Sequence, residues 1–239
     1  MKVTSLALDP IEKKPLARFC PGSKILSVGS IGCTMHCPWC QNHEIAQPQD
    51  EKMPPYRVMT AVELADAAEE LVCRGNIGLA YTYNEPLLRW KEVLGCAEEI
   101  KGRGLANVVV TNGLISQDNL LELLPFIDAF NIDLKGFDQG VYDICGGRLE
   151  TIMRAIELAA NHSHVEVTTL IIPGLNDSID LIEKEAVWLA SIDANITLHL
   201  TRFFPQFKYY DVAPTPLSTM REAHAAAGKH LENVLLGNV

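Results

Sequence analysis

The 239-residue sequence has no apolar run approaching the roughly 18 residues that a membrane-spanning helix needs. Its amino terminus, MKVTSLALDPIEKK, lacks the apolar centre of a secretory signal. It has no excess of cations. Lysine and arginine total 20 against 30 aspartates and glutamates, a net charge of −10, so no general electrostatic pull draws it to nucleic acid or to an anionic membrane. No fixed-period repeat, low-complexity tract or long linker interrupts it. The composition is that of a folded chain, 48% hydrophobic and 21% charged, enough for a sizeable core and unlike a disordered segment. Together these absences predict a soluble, cytoplasmic protein with neither nucleic acid nor membrane as a partner.

A set of paired cysteines is missing too. Seven cysteines is an odd number, and a reducing compartment disfavours disulfides, so clustered cysteines there point to metal or redox chemistry. Cys33, Cys37 and Cys40 stand at Cys-x3-Cys-x2-Cys spacing in the segment from Gly32 to Asn42. Three thiolates on one short loop select zinc, Cu(I) or an iron–sulfur cluster. A structural zinc wants four protein ligands. His36, His43 and Cys20 are available as a fourth, but none sits in a second paired knuckle. A 4Fe-4S cluster normally takes four cysteines, so three leave one iron open to an outside ligand.

Apolar strand, polar turn and amphipathic helix alternate along the chain. The pattern predicts strands at Ile25–Ile31, Ile77–Tyr83, Ala106–Thr111, Ala129–Leu134, Val165–Ile172 and Ile196–Phe203. Thr60-Ala-Val-Glu63 is a capping box opening a helix to about Arg74, stopped by Gly75. Pro86 opens another, to about Lys101, and Ser116 caps a short one ending near Leu124. Leu149–Asn161 and Ser178–Ile192 are two more helical stretches. Six strand-then-helix units predict a parallel sheet with right-handed crossovers. That sheet is either an open, partial barrel, short of the eight units of a closed one, or a doubly wound sheet. In both, the working loops follow the carboxyl ends of the strands, and the cysteine segment follows the first strand directly.

With an aromatic residue just before its last cysteine, this segment resembles that of the radical S-adenosylmethionine (SAM) superfamily. The resemblance implies an α/β fold of one domain over residues 1–239, a partial (β/α)6 barrel with six parallel strands. Residues 1–24 would be a lead-in, and residues 204–239 an extension packed on the barrel. It implies a 4Fe-4S cluster held by Cys33, Cys37 and Cys40, with SAM chelating the open iron. One electron then cleaves SAM to methionine and a 5′-deoxyadenosyl radical that abstracts a hydrogen atom. Trp39 would pack near the adenine.

Further residues carry the likeness. Tyr83-Asn84-Glu85-Pro86 resembles the Gly-Gly-Glu-Pro of pyruvate formate-lyase activating enzymes, implying that Asn84 and Glu85 hold the SAM amino group. The plain alternative makes Glu85 a carboxylate at a helix start. Val110-Thr111-Asn112-Gly113 resembles Asp-Thr-Asn-Gly, with Val110 where that family has the aspartate of a monovalent-cation site, and implies Asn112 beside SAM. An ordinary turn is its alternative. Asp133-Leu134-Lys135 is the family's Asp-Leu-Lys. Strand alternation sets Asp133 and Lys135 on one inward face, where they either meet polar parts of SAM or pair with one another. Thr168 stands where the activating enzymes have an arginine for the SAM carboxylate. Arg202 is the polar residue nearest the place of their ribose-contacting Pro-Tyr-His, and His199 is either part of that region or a satisfied core histidine.

The lead-in Ala7-Leu8-Asp9-Pro10-Ile11 through Pro21-Gly22-Ser23, and the stretch from Val165 to Asp177, resemble the AmmeMemoRadiSam-system radical SAM proteins. Members often carry an added cysteine-rich module and a short carboxyl-terminal cysteine motif. Neither is in this sequence, so a second cluster is not expected, and Cys20, Cys73, Cys96 and Cys145 read as ordinary packed or surface residues. The branch implies activation of a glycyl radical enzyme, that is, hydrogen abstraction from a protein glycine, with an electron donor such as flavodoxin or ferredoxin. Radical modification of a small molecule or another peptide is the competing enzyme function, and a non-catalytic zinc or iron–sulfur module the competitor of another class. A half-barrel lacking a lateral wall favours a large substrate such as a partner's loop.

Overall fold

The computed structural model describes residues 1–49 and 52–239. Two strands precede the first expected one, β1 (Lys2–Val3) and β2 (Ser5–Pro10). All six expected strands form: β3 (Lys24–Gly29), β5 (Asn76–Tyr81), β6 (Ala106–Thr111), β7 (Ala129–Asp133), β8 (His164–Ile171) and β9 (Thr197–Arg202). The pattern did not announce β4 (Arg57–Val58), which pairs with β1, or β10 (Val234–Gly237). The main sheet has eight strands in the order β10-β9-β8-β7-β6-β5-β3-β2. Every neighbouring pair is parallel except β2 on β3. Strand order across this sheet follows chain order with no reversal, which sets aside the doubly wound alternative.

The helices form where caps and apolar stripes coincide. They are α1 (His43–Ala46), α2 (Ala61–Glu70), α3 (Trp90–Gly102), α4 (Gln117–Leu123), α5 (Gln139–Cys145), α6 (Leu149–Ala160), α7 (Ile179–Ile192) and α8 (Leu217–Ala227). The capping box is complete. Glu63 N donates to Thr60 Oγ1 at 3.2 Å and Thr60 N to Glu63 Oε2 at 2.7 Å. The helix expected to reach Arg74 stops at Glu70 and tightens into a 3₁₀ turn before left-handed Gly75.

Alternation along the strands separates two faces. Leu26, Val28, Leu79, Tyr81, Val109, Ile132, Val167, Leu198 and Leu200 turn outward into one core with the helices. Ile25, Ala80, Val108 and Ala129 turn inward and form a second, smaller core with Ile11 and Leu16 of the lead-in. Fully burying a leucine contributes about 1.5–3 kcal/mol, so Leu16, 0% exposed, is a substantial anchor for an irregular segment. Polar bonds fix it further. Asn131 Nδ2 donates to Pro15 O at 2.9 Å, and the amides of Ala17 and Arg18 donate to Glu166 at 3.0 and 2.7 Å. His164 and His199 close on the same carboxylate at 2.9 and 2.6 Å. His199 is therefore satisfied by Glu166.

One helix carries an acid into the core. Glu185 of α7 is buried against Thr169 of β8, with 2.5 Å between Oε1 and Thr169 Oγ1. The Thr169 hydroxyl also lies 3.0 Å from Leu134 O, an acceptor. One hydroxyl proton cannot serve both oxygens, so Glu185 supplies the second proton and is neutral. Burial pushes its carboxyl up to about 8, against a smaller opposing contribution from the Thr169 bond. An acid raised on folding makes stability fall as pH climbs from its unfolded value of 4.5 to about 8, by up to about 1.4 kcal/mol per unit. Urea unfolding at pH 5, 6.5 and 8 should therefore show Glu185→Gln gaining on the parent protein as pH rises. Parallel profiles would refute the neutral acid.

Candidate active site

The cysteine segment follows β3 at the carboxyl face of the sheet. Gly32 opens it at φ 99°, a left-handed conformation that favours glycine. The segment has no ladder of its own, and its backbone is bonded from several directions. Asn84 Nδ2 and Glu85 N donate to Gly32 O at 2.9 and 3.3 Å. Gly32 N donates to Ile45 O at 2.9 Å, His36 N to Cys145 O at 2.8 Å, and Gln47 Nε2 to Cys37 O at 3.2 Å. Asn42 Nδ2 ties the far end to Tyr83 O at 2.7 Å.

All seven cysteines are free thiols. Cys37 is buried, and Cys33 and Cys40 are half-buried. Among the described residues no three His, Cys, Asp or Glu side chains gather closely enough to hold one metal ion, as a tetrahedral zinc would require. The three thiols nonetheless share one electrostatic neighbourhood. The Cys37 charge acts on both Cys33 and Cys40, and the Lys135 ammonium acts on all three. Burial pushes the Cys33 thiol up to about 11 and raises that of Cys40. Cys37 goes the other way, to about 7, because the neighbouring Cys145 thiol and the Lys135 charge both favour its thiolate. Cys145 was expected to be an ordinary packed residue. It is fully buried, but it packs against the cysteine loop, and the Cys145 thiol itself is strongly raised by Cys37 beside it and by burial. Left-handed Gly146 beside it, φ 78°, lets the His36 ring enter the space a Cβ would occupy.

Glu85 joins two strand ends. It caps the 3₁₀ turn after β5, accepting Leu87 N at 2.9 Å, and reaches the end of β6 to accept Thr111 Oγ1 at 2.6 Å and Asn112 N at 2.7 Å. Burial pushes its carboxyl up to about 7 despite those bonds. Asn84 is committed elsewhere. Its Oδ1 accepts Ser30 N at 2.8 Å, and its amide nitrogen serves Ser30 Oγ at 3.0 Å as well as Gly32 O, so only its main chain remains for a ligand. The left-handed residue of this turn is Tyr83, φ 72°, not Asn84. The Tyr83 ring lies over Gly29, and its hydroxyl donates to Asp9 Oδ2 at 2.7 Å. Asn112 faces the loop itself, with Nδ2 3.5 Å from Cys33 Sγ and 3.0 Å from Thr34 Oγ1.

Asp133 and Lys135 pair at 2.7 Å. Burial works against the Lys135 ammonium, but the Asp133 carboxylate and Cys37 outweigh it, so Lys135 stays a firm cation. Thr168 is opposite Asp133 in register but bonds Asn131, 2.9 Å from its Nδ2. Arg202 is bonded elsewhere. Its Nε donates to Thr215 O at 2.8 Å, and its guanidinium lies 4.9 Å from the centre of the Phe204 ring.

Arg202 and Thr215 form the base of a strap, residues 203–215, that sequence pattern did not reveal. Thr215 Oγ1 donates to Ile171 O at 2.6 Å and accepts Phe203 N at 3.1 Å. The strap leaves β9, near one edge of the sheet, and meets the loop after β3, near the other. Lys208 N donates to Pro38 O at 2.9 Å. The Tyr209 ring meets Trp39 edge-on at 5.4 Å, and Phe207 stacks on His43 at 4.1 Å. The lateral wall expected to be missing is thus bridged at the level of the cysteine loop. Phe207, Lys208 and Tyr209 are residues of this site that sequence reasoning missed.

Comparison with known proteins agrees with this geometry. The family model for the Radical SAM superfamily matches residues 28–184. An uncharacterized protein of Methanocaldococcus jannaschii is 39% identical over 242 residues, spanning 100% of this chain and 71% of that protein. Among solved structures, a domain of pyruvate-formate lyase-activating enzyme from Bacteroides vulgatus superposes with a TM-score of 0.59 at 19% identity, over 67% of this chain and 99% of that one. Streptococcus suis SuiB bound to precursor peptide SuiA superposes with a TM-score of 0.67 at 12% identity, over 87% of this chain and 47% of that one. At such identities the likeness to the two structures is one of fold.

An edge-on aromatic pair contributes about 0.5–1.5 kcal/mol beyond its area. Tyr209→Ala should therefore speed tryptic cleavage after exposed Lys208 by about two- to tenfold. An unchanged rate would show that the pair with Trp39 does not hold the strap.

Proposed function

The chain belongs to the radical SAM superfamily, and from that premise we propose that it activates a partner enzyme by abstracting a hydrogen atom from a polypeptide glycine. The superfamily's cofactors are a 4Fe-4S cluster and SAM. When bound, they supply one electron from cluster to SAM, releasing methionine and a 5′-deoxyadenosyl radical.

The donor set fits a cluster. Three free thiols lie on one loop under a permanent cation, and the lowered Cys37 thiol is the readiest of them to ionise. Each thiolate of such a cluster meets a different iron. Cys33, Cys37 and Cys40 would be the ligands. Glu85 accepts three hydrogen bonds, and an ionised carboxylate has about four acceptor positions, so one remains for the SAM ammonium. A carboxyl near 7 is poised for this role, because an arriving cation shifts it to the charged form. Asp133 and Lys135 offer a second polar pair at the same mouth.

The observation that carries the proposal is the cysteine loop at the carboxyl end of β3, gripped by the ends of β5 and α5, on a fold shared with a pyruvate-formate lyase-activating enzyme and with a peptide-bound enzyme. One observation favours a second reading. The strap crosses the open side of the sheet at Trp39 and His43, and a small molecule needs less of an opening there than a folded partner's loop.

Anaerobic reconstitution should give absorbance near 400 nm that dithionite bleaches, and a paramagnetic resonance spectrum that changes on adding SAM. Cys37→Ala should lose both the absorbance and 5′-deoxyadenosine formation; retention of full 5′-deoxyadenosine production would refute the ligand assignment. To separate the substrates, extracts of cells grown on α-deuterated glycine would be divided by size. Deuterium reaching 5′-deoxyadenosine from the macromolecular fraction supports glycine abstraction from a polypeptide, and transfer from the small-molecule fraction alone overturns it.

A further inference from the structure

We infer that Asn112 sets the reduction potential of the cluster by donating a side-chain hydrogen bond to the sulfur of Cys33. The inference rests on the cluster proposed above and departs from the expectation that Asn112 contacts SAM. Its amide nitrogen is 3.5 Å from Cys33 Sγ and 3.0 Å from Thr34 Oγ1. The orientation of the amide is fixed by its other end, where Oδ1 accepts Leu114 N at 2.9 Å. A flipped amide would set N–H against N–H there, so the donor faces the sulfur. The residue is buried, and its backbone is held too, with Asn112 N donating to Glu85 Oε2 at 2.7 Å. Met35 N adds a second donor to the same sulfur at 3.3 Å.

The physical consequence concerns charge. One-electron reduction adds a negative charge that spreads onto the cluster and thiolate sulfurs. An N–H aimed at one of those sulfurs stabilises the reduced state more than the oxidised one and raises the potential. The main-chain donor from Met35 survives any side-chain change at its own position, whereas the donor from Asn112 is a side chain and can be removed. Asn112 acts through Cys33 and is a positioning residue rather than a catalytic one.

The test is a dye-mediated redox titration of reconstituted protein without SAM, with the reduced cluster read by paramagnetic resonance and normalised to iron content. The external reductant supplies the single electron. At the potential where the parent protein is half reduced, Asn112→Ala should lower the reduced-to-oxidised ratio at least threefold, which is about 28 mV for a one-electron couple at 59 mV per tenfold. Asn112→Leu, which keeps the branched shape but has no donor, should show the same loss and covers the case in which the alanine variant folds poorly. Midpoints equal to that of the parent in clusters of full iron content would overturn the inference. So would an unchanged midpoint combined with loss of the SAM-induced spectral change, which would make Asn112 a SAM contact. A parent protein that takes up no cluster would instead overturn the cluster assignment itself.

Discussion

The segment that carries Cys33, Cys37 and Cys40 cannot satisfy its own backbone, and the surrounding structure is arranged to satisfy it. A buried carbonyl or amide without a partner costs on the order of 1–3 kcal/mol. Cys37, which is buried, and half-buried Gly32 and Pro38 would present such groups if their neighbours withdrew. Asn84 and Glu85 after β5 hold the start of the loop, Cys145 at the end of α5 holds its middle, and the strap after β9 holds Pro38. The thiols are positioned because elements far apart in sequence converge on one irregular loop. Each anchor is also tied elsewhere, Asn84 to Ser30 and Glu85 to Thr111 and Asn112, so the strand ends and the loop form one connected network.

That network explains which site residues are free to meet a ligand. A polar side chain at a strand end can brace the backbone or reach outward, and its hydrogen-bonding capacity decides between the two. The amide of Asn84 is spent on Ser30 and Gly32, and Arg202 commits its Nε to the base of the strap. Thr168 is occupied with Asn131. Glu85 keeps acceptor capacity after three bonds, and Lys135 keeps donors after its pairing with Asp133.

Much of the scaffold was legible because its signals are local. The six central strands are short apolar runs, and Thr60, Ser116 and Gly75 mark helix ends through bonds within a few residues of themselves. The cysteine spacing was legible for the same reason. Four features were not. β2 and β10 are edge strands, and they pair because the sheet beside them offers an open ladder, which no periodicity reports. The lead-in packs through isolated residues, Ile11 and Leu16, without a repeating pattern. Cys145 lies more than a hundred positions from Cys37, and only the path of α5 brings their sulfurs together. The strap has the composition of a surface loop, and its aromatic residues acquire meaning only when the two sides of the sheet approach.

The charge around the loop follows a single logic. The chain is acidic overall, with a net charge of −10, and a reduced cluster on three thiolates would add further negative charge in a partly buried place. Desolvation alone opposes this, as the raised thiols of Cys33 and Cys40 show. The local structure offsets it with donors, a neighbouring thiol and one cation: Met35 N and Asn112 on Cys33, the Cys145 thiol beside Cys37, and Lys135 near all three. Lys135 is kept charged by Asp133, so the pair adds a field without adding net charge. The strap works in the same direction. By laying Tyr209 and Phe207 over Trp39 and His43 it keeps water from one flank of the loop, and in a drier site every one of those donors acts more strongly on the sulfur it faces.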